Sequence, residues 1–187
     1  MMLDTVERLM ATEGYASVSY RAVAAGVGVT AGLVQYYFPT LDELFEAAVR
    51  RRADENLERL VAALAARPDE PLHVLWEASQ DEASSVLMTE FLALGNHRKT
   101  IRAVIAEVSE RARQVQLAAL KAAGTGRARR IPPEDLAFLV NGIPKIEALE
   151  VGAGLATTGS IRKTCLRFLD ELEPPRRRAP RSRPAKG

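Results

Sequence analysis

A chain of 187 residues that is 47% hydrophobic but only 5% aromatic carries enough Ala, Leu and Val to bury a core, which excludes a wholly disordered polymer. The net charge is +2, yet residues 174–187, PPRRRAPRSRPAKG, hold five Arg, one Lys and no acid, leaving residues 1–173 at −4. The basic balance therefore belongs to the C-terminal stretch, which excludes a uniformly basic folded surface.

Helical periodicity recurs from end to end and no alternating strand pattern interrupts it, so the predicted fold class is all-α with about nine helices. The first helix covers about residues 2–13, with Leu3, Val6, Leu9 and Met10 on one face and Gly14 as its stop. Ser19 is placed to cap a second helix reaching about Ala25, with Val23 and Ala24 inward. Gly26 to Val29 reads as the turn, in which Gly28 suits a positive φ and Val29 plugs the gap between helices. Thr30 caps a third helix running to about Tyr37, and Pro39 prevents its smooth continuation. Two short helices about a glycine turn form a helix-turn-helix, whose later helix can lie in a DNA major groove.

Thr40-Leu41-Asp42-Glu43 has the spacing of a capping box, with the Thr and Glu side chains each satisfying an orphan amide. The fourth helix continues through Leu44, Ala48, Leu57, Leu60, Val61 and Leu64 and stops near Pro68. Further helices are predicted at about 70–80, 82–96 and 98–123, followed by a loop at 124–130. The penultimate helix spans about 133–157, kinked at Pro144, and the last spans about 160–172 with Ser160 as its cap. The expected organisation is a three-helix headpiece at 1–46, a helical-bundle body at 47–173, to which the family resemblance set out next assigns ligand binding and dimerisation, and a disordered basic tail at 174–187.

The segment 14–49 resembles the TetR family of bacterial transcriptional regulators. The matching residues are Gly14, Tyr15, Ser19, Val23, Ala24, Gly28, Val29, Thr30, Gly32, Val34, Tyr37, Phe38, Thr40, Asp42, Glu43 and Leu44. Later, Asn141-Gly142-Ile143 is similar to an Asp-Gly-Leu patch of the family's penultimate helix. Two positions depart from the pattern: Gln35 stands where the family usually has Tyr, and Leu41 where it usually has Lys. The second removes a phosphate-directed charge, and the first offers a group able to pair bidentately with adenine. Residues 1–52 hold five Arg against six acids, so the headpiece has no positive excess.

The resemblance implies a DNA-binding transcriptional regulator, a ligand-responsive repressor that binds a palindromic double-stranded operator as a homodimer and is released by a small-molecule effector. Arg21 would contact phosphate or a guanine edge. Leu33, Gln35 and Tyr36 lie on the side of the third helix away from Val34 and point at the groove, where Leu33 meets a thymine methyl. Ala31 and Gly32 permit close approach, and Thr30 caps the helix beside them. Tyr37 offers its hydroxyl to a phosphate or packs against the first helix, and Thr40 presents its amide.

For the effector, the implied lining is Trp76, Met88, Phe91, Asn96, His97, Val104, Val108 and Asn141, residues that also suit ordinary core. His97 equally suits a partner for a helix C-terminus. For the dimer, the apolar residues Leu136, Leu139, Val140, Leu149, Val151, Leu155, Leu166 and Leu169 of the last two helices form a four-helix interface with a second copy. The competing readings are a helical small-molecule carrier or enzyme, and an interaction module with a degenerate DNA-binding headpiece.

No nucleophile–base constellation, phosphate loop or metal spacing is present, so neither catalysis nor a cofactor nor a metal is expected. Charge interrupts every aliphatic run short of the roughly 20 residues that span a bilayer. MMLDTVERLM lacks the basic start and apolar stretch of a signal peptide. Cys165 has no second cysteine to pair with, and inert packing suits it better than reactivity. A cytoplasmic protein without membrane contact is the expectation.

Overall fold

The structure, a computed structural model, describes residues 1–123, 130–154 and 159–174. Among these it holds nine α-helices and no strand. The helices are α1 (Met2–Glu13), α2 (Tyr20–Val27), α3 (Ala31–Tyr37), α4 (Leu41–Ala66), α5 (Pro71–Ala78), α6 (Glu82–His97), α7 (Lys99–Ala123), α8 (Pro133–Gly152) and α9 (Gly159–Leu172). A 3-10 turn, Tyr15–Ser17, joins α1 to α2. The chain is all-α, and no described helix is long and apolar enough to cross a membrane.

Three of the four predicted caps form. The Ser19 side chain accepts from the Ala22 amide, Thr30 from Leu33 and Thr40 from Glu43, at 3.2, 3.3 and 3.2 Å. The reciprocal half of the capping box differs. Glu43 Oε1 accepts the Thr40 hydroxyl at 2.9 Å rather than the Thr40 amide.

Three boundaries need correction. α2 runs on to Val27, so Gly26 is helical, and only Gly28, at φ 72°, makes the left-handed cap. Helical Gly26 has a steric reason: a Cβ there would stand 2.4 Å from Thr5 Cγ2, so a glycine lets α2 lie against α1. α8 continues through Pro144 and ends at Gly152, short of residue 157, with Gly154 at φ 76° just beyond. α9 begins at Gly159, so Ser160 lies inside the helix rather than capping it. Residues 124–129 of the loop predicted at 124–130, Leu155 and the tail from 175 onward lie outside the described residues.

Two apolar cores organise the chain. The first gathers Val6 and Met10 of α1, Val23 of α2, Val34 of α3, Leu44 and Phe45 of α4, Phe91 of α6 and Ile101 of α7. The second joins Leu60 and Leu64 of α4, Leu72 and Trp76 of α5, Leu117 and Leu120 of α7, Leu136 and Val140 of α8, and Leu169 and Leu172 of α9. At roughly 1.5–3 kcal/mol for each fully buried aliphatic side chain, these cores dominate folding. α4 and α7, of 26 and 25 residues, pass through both and tie them together. Val61 of α4 and Leu92 of α6 stand outside both cores, 47% and 51% exposed.

Candidate nucleic-acid interface

α3 is divided by its own periodicity. Val34 is fully buried, whereas Leu33, Tyr36 and Tyr37 are 40%, 78% and 61% exposed. Gln35 and Gly32 are exposed beside them, Ala31 is half-buried against the first core, and Arg21 projects outward from α2. Thr30 and Thr40 are exposed at the ends of this surface. Of the nine residues predicted to face DNA, Ala31 is therefore half-buried and the other eight are exposed, around the buried anchor Val34. The Tyr36 and Tyr37 rings meet edge to face at 5.5 Å. Around Gly32 a Cβ would meet nothing within 4 Å, so nothing inside this chain demands a glycine there.

One positioning contact escaped the sequence reading. The Tyr20 hydroxyl, at the start of α2, donates to the Phe38 carbonyl at 2.9 Å and ties α2 to the end of α3. Burial pushes this phenol above its ordinary pKa, with Glu43 adding to the rise. Leu41, the apolar replacement for a family lysine, packs against the first core.

Most headpiece arginines point away from this face. Arg50 makes two 2.8 Å bonds to Glu107 of α7. Arg51 bonds Glu7 at 2.8 Å and also Asp4, and Arg52 bonds Glu7, whose side chain is only 6% exposed. Among the described residues, the exposed Arg8 and Arg21 side chains make no ion pair.

Three links join the headpiece to the corner between α6 and α7. Glu90 accepts the Tyr15 amide at 2.8 Å. Asp42, at the start of α4, bonds Arg98 and accepts the Thr100 hydroxyl at 2.7 Å. The Thr100 hydroxyl, with Arg98 beside it, holds the Asp42 carboxyl below the ordinary carboxylate range. The Arg98 guanidinium also lies 5.6 Å from the centroid of the Phe45 ring.

The predicted effector residues do not gather at one place. Phe91, Val104 and Val108 are buried in the first core, whereas Trp76 is buried in the second. Met88 is half-buried, and Asn96 and His97 are exposed at the α6–α7 corner, with the His97 ring 6.2 Å from Tyr15. Asn141 bonds Gln116 at 3.0 Å and the Ala137 carbonyl at 2.6 Å, linking α8 to α7. A surface groove of about 640 Å³ runs along α9, lined by Lys163, Leu166, Arg167 and Asp170 and by none of these.

The predicted dimer residues also divide. Leu136, Val140 and Leu169 are 4%, 2% and 3% exposed, filled in by the protomer's own second core, and Leu166 packs against it. Those three face inward because the last two helices each have a second apolar face. That outer face carries Phe138, Leu139, Ile146, Leu149, Ile161 and Phe168, at 39–78% exposure. Of these only Leu139 and Leu149 were predicted; the others are betrayed in sequence only by apolar residues in excess of one helical stripe. Leu155 is outside the described residues, as is the side chain of Val151.

Two further groups are settled by their surroundings. Burial, with Glu147 nearby, pushes the half-buried Cys165 thiol up, which makes it a poor nucleophile. His73 of α5 contacts Glu173 through Nδ1 at 2.7 Å and Asp170 through Nε2 at 3.1 Å. Glu173 also accepts the Leu72 and His73 amides, both at 3.0 Å, and so caps α5 from the far end of the chain. No local pattern could have revealed a pairing across about 100 residues.

Residues 2–48 match the model of the family described as bacterial regulatory proteins, tetR family. No curated protein matches the chain. Among solved structures, a Saccharomonospora viridis protein described as a transcriptional regulator, in complex with choline, is 20% identical, with 90% of this chain and 93% of that one covered and a TM-score of 0.77. A transcriptional regulator from Rhodococcus sp. Rha1 is 23% identical, with 92% and 88% covered and a TM-score of 0.66. The multidrug binding protein EbrR complexed with imidazole is 28% identical, with 90% and 92% covered and a TM-score of 0.61. EbrR has also been solved with proflavin.

Proposed function

We propose that the chain is a member of the TetR family of bacterial transcriptional regulators, a ligand-responsive repressor that binds a palindromic operator as a homodimer. The observation that carries this reading is the division of α3: Val34 is locked in the core while Leu33, Gln35 and Tyr36 stand exposed, as does Arg21 on α2. In a major groove, Gln35 pairs with an adenine edge and Leu33 touches a thymine methyl. Arg21, the Tyr37 hydroxyl and the Thr40 amide, which Glu43 does not engage, hold phosphates. Thr30, Ala31 and Gly32 form the close-approach end of the helix. Residues 1–46 are the DNA-binding unit, 47–173 the effector and dimer unit, and 174–187 add six positive charges and with them salt-sensitive phosphate attraction.

The outer apolar face of α8 and α9 supports the dimer, because contiguous exposed apolar surface marks an interaction site. Two-fold pairing there sets two copies of α3 about 34–36 Å apart, one turn of DNA. The effector binds in the body, where Trp76 of α5 and Asn141 of α8 adjoin the second core, and Phe91 of α6 and Val104 and Val108 of α7 belong to the first. Asn96, His97 and Met88 lie along the same helix, which carries Glu90 against Tyr15 and leads to the Arg98 contact with Asp42. A shift of α6 that favours the liganded state therefore moves α4 and spoils the spacing of the two headpieces. The reading involves no catalytic step and places the protein in the cytoplasm with the DNA.

The test is fluorescence anisotropy with DNA from upstream of the gene. Gln35→Ala should abolish operator preference and retain nonspecific binding; an unchanged sequence preference removes Gln35 from base readout. Phe138→Glu should give a monomer in sedimentation and lose operator binding.

A further inference from the structure

We infer that Trp76 is the hydrogen-bonding point of the effector site, and that the effector is an uncharged, largely apolar molecule presenting an oxygen acceptor, such as a ketone or lactone. The inference rests on the ligand-responsive reading above and narrows the chemistry of that ligand.

Trp76 is 2% exposed, yet among the described residues its indole Nε1 has no hydrogen-bond partner. Buried N–H groups are almost always paired, and an orphan calls for a reason. The other orphan atoms belong to groups already held by charge: Arg51 and Arg52 pair with Glu7, and Asp54 with Arg111. Trp76 alone has no such compensation. The polar groups on the adjoining helices are committed elsewhere. The Ser79 hydroxyl is engaged with the Trp76 and Val140 carbonyls at 2.7 and 3.1 Å. The Asn141 amide donates to Gln116 and Ala137. An indole N–H only donates, so whatever completes it must accept. The site lies in the second core, where α5 meets α8, among Leu72, Leu136 and Val140.

The same surroundings disfavour an organic cation. Quaternary ammonium groups are held by cages of several aromatic faces. Trp76 is the only ring in the second core: Phe91 belongs to the first, and Phe138 and Phe168 are 78% and 44% exposed. All four tyrosines lie in the headpiece. Among the described residues, the one buried carboxylate of the body is Glu173, whose oxygens are taken by the Leu72 and His73 amides and the His73 ring. No buried negative charge is left to neutralise a ligand cation. The ligand chemistry therefore differs from that of the relatives solved with choline and with proflavin.

Trp76 is the only tryptophan of the chain, so its emission reports this one site in the full-length protein. Camphor or δ-decalactone should shift that emission saturably, whereas choline should leave it unchanged and proflavin should show no saturable gain in anisotropy. In calorimetry, Trp76→Phe should weaken camphor binding by about tenfold, the loss of one hydrogen bond, with the thermal transition still cooperative. Saturable binding of choline or proflavin, no response to either neutral compound, or undiminished camphor binding by Trp76→Phe would each overturn the proposal. The titrations use free protein, so their result stands apart from that of the upstream-DNA assay.

Discussion

Gly32 is a glycine that its own fold does not require, and in the proposed function it serves close approach to DNA. Open space surrounds the position where its Cβ would stand, and glycine weakens a helix relative to alanine by roughly 0.5–1 kcal/mol. Gly32→Ala should therefore raise the urea midpoint slightly while lowering operator affinity by about tenfold, the size of one lost base-pair contact. A variant that gains stability and binds operator unchanged removes close approach as the reason for the glycine. Ser19, Thr30, Thr40 and Gly28 were legible because capping and positive φ act within a few residues of chain. The Tyr20 hydroxyl on Phe38 was not, because its partner is a backbone carbonyl 18 residues away. Its rise in pKa also leaves no trace in sequence, since burial is a product of the whole headpiece.

At the scale of elements, the positions of helices followed from apolar period and caps, while their faces did not. Gly26 looked like part of the turn because glycine commonly ends a helix. Its actual constraint is the packing of α2 on α1, visible only once both helices are placed. Gly26→Ala forces a methyl onto buried Thr5, an overpacking that costs about 1–3 kcal/mol. Chemical denaturation should show that loss, and a double variant Thr5→Ser with Gly26→Ala should recover part of it. The outer face of α8 was missed for a related reason. A helix apolar on two sides has no clear period, so Leu136 and Val140 could not be told from Phe138 and Ile146 before the second core was seen.

For the whole molecule, the clasp between α5 and α9 makes stability depend on pH. Glu173 first, then Asp170, hold the His73 imidazolium above the ordinary value of 6.5, against the opposing effect of burial. Its other charged neighbours are Glu77 on the same helix and, through Glu173 and Glu77, Arg67 at the end of α4. A raised pKa in the folded state gives stability that is complete below about pH 6.5 and is lost as pH rises through the folded value. The thermal midpoint of the wild type should thus exceed that of His73→Gln most near pH 6, and the gap should narrow toward pH 9. A gap independent of pH would mean that His73 acts only by packing.

The first core has a consequence for modularity. Val34 of α3 and Phe45 of α4 are packed in the same cluster as Phe91 of α6 and Ile101 of α7, so the helix-turn-helix has no private interior. Grafting residues 1–46 onto the body of a relative, as one would exchange a cassette, would leave both pieces with half an interface. A working transplant must carry α6 and the first turns of α7 along with the reading head, and the natural unit of exchange in this chain is therefore discontinuous in sequence.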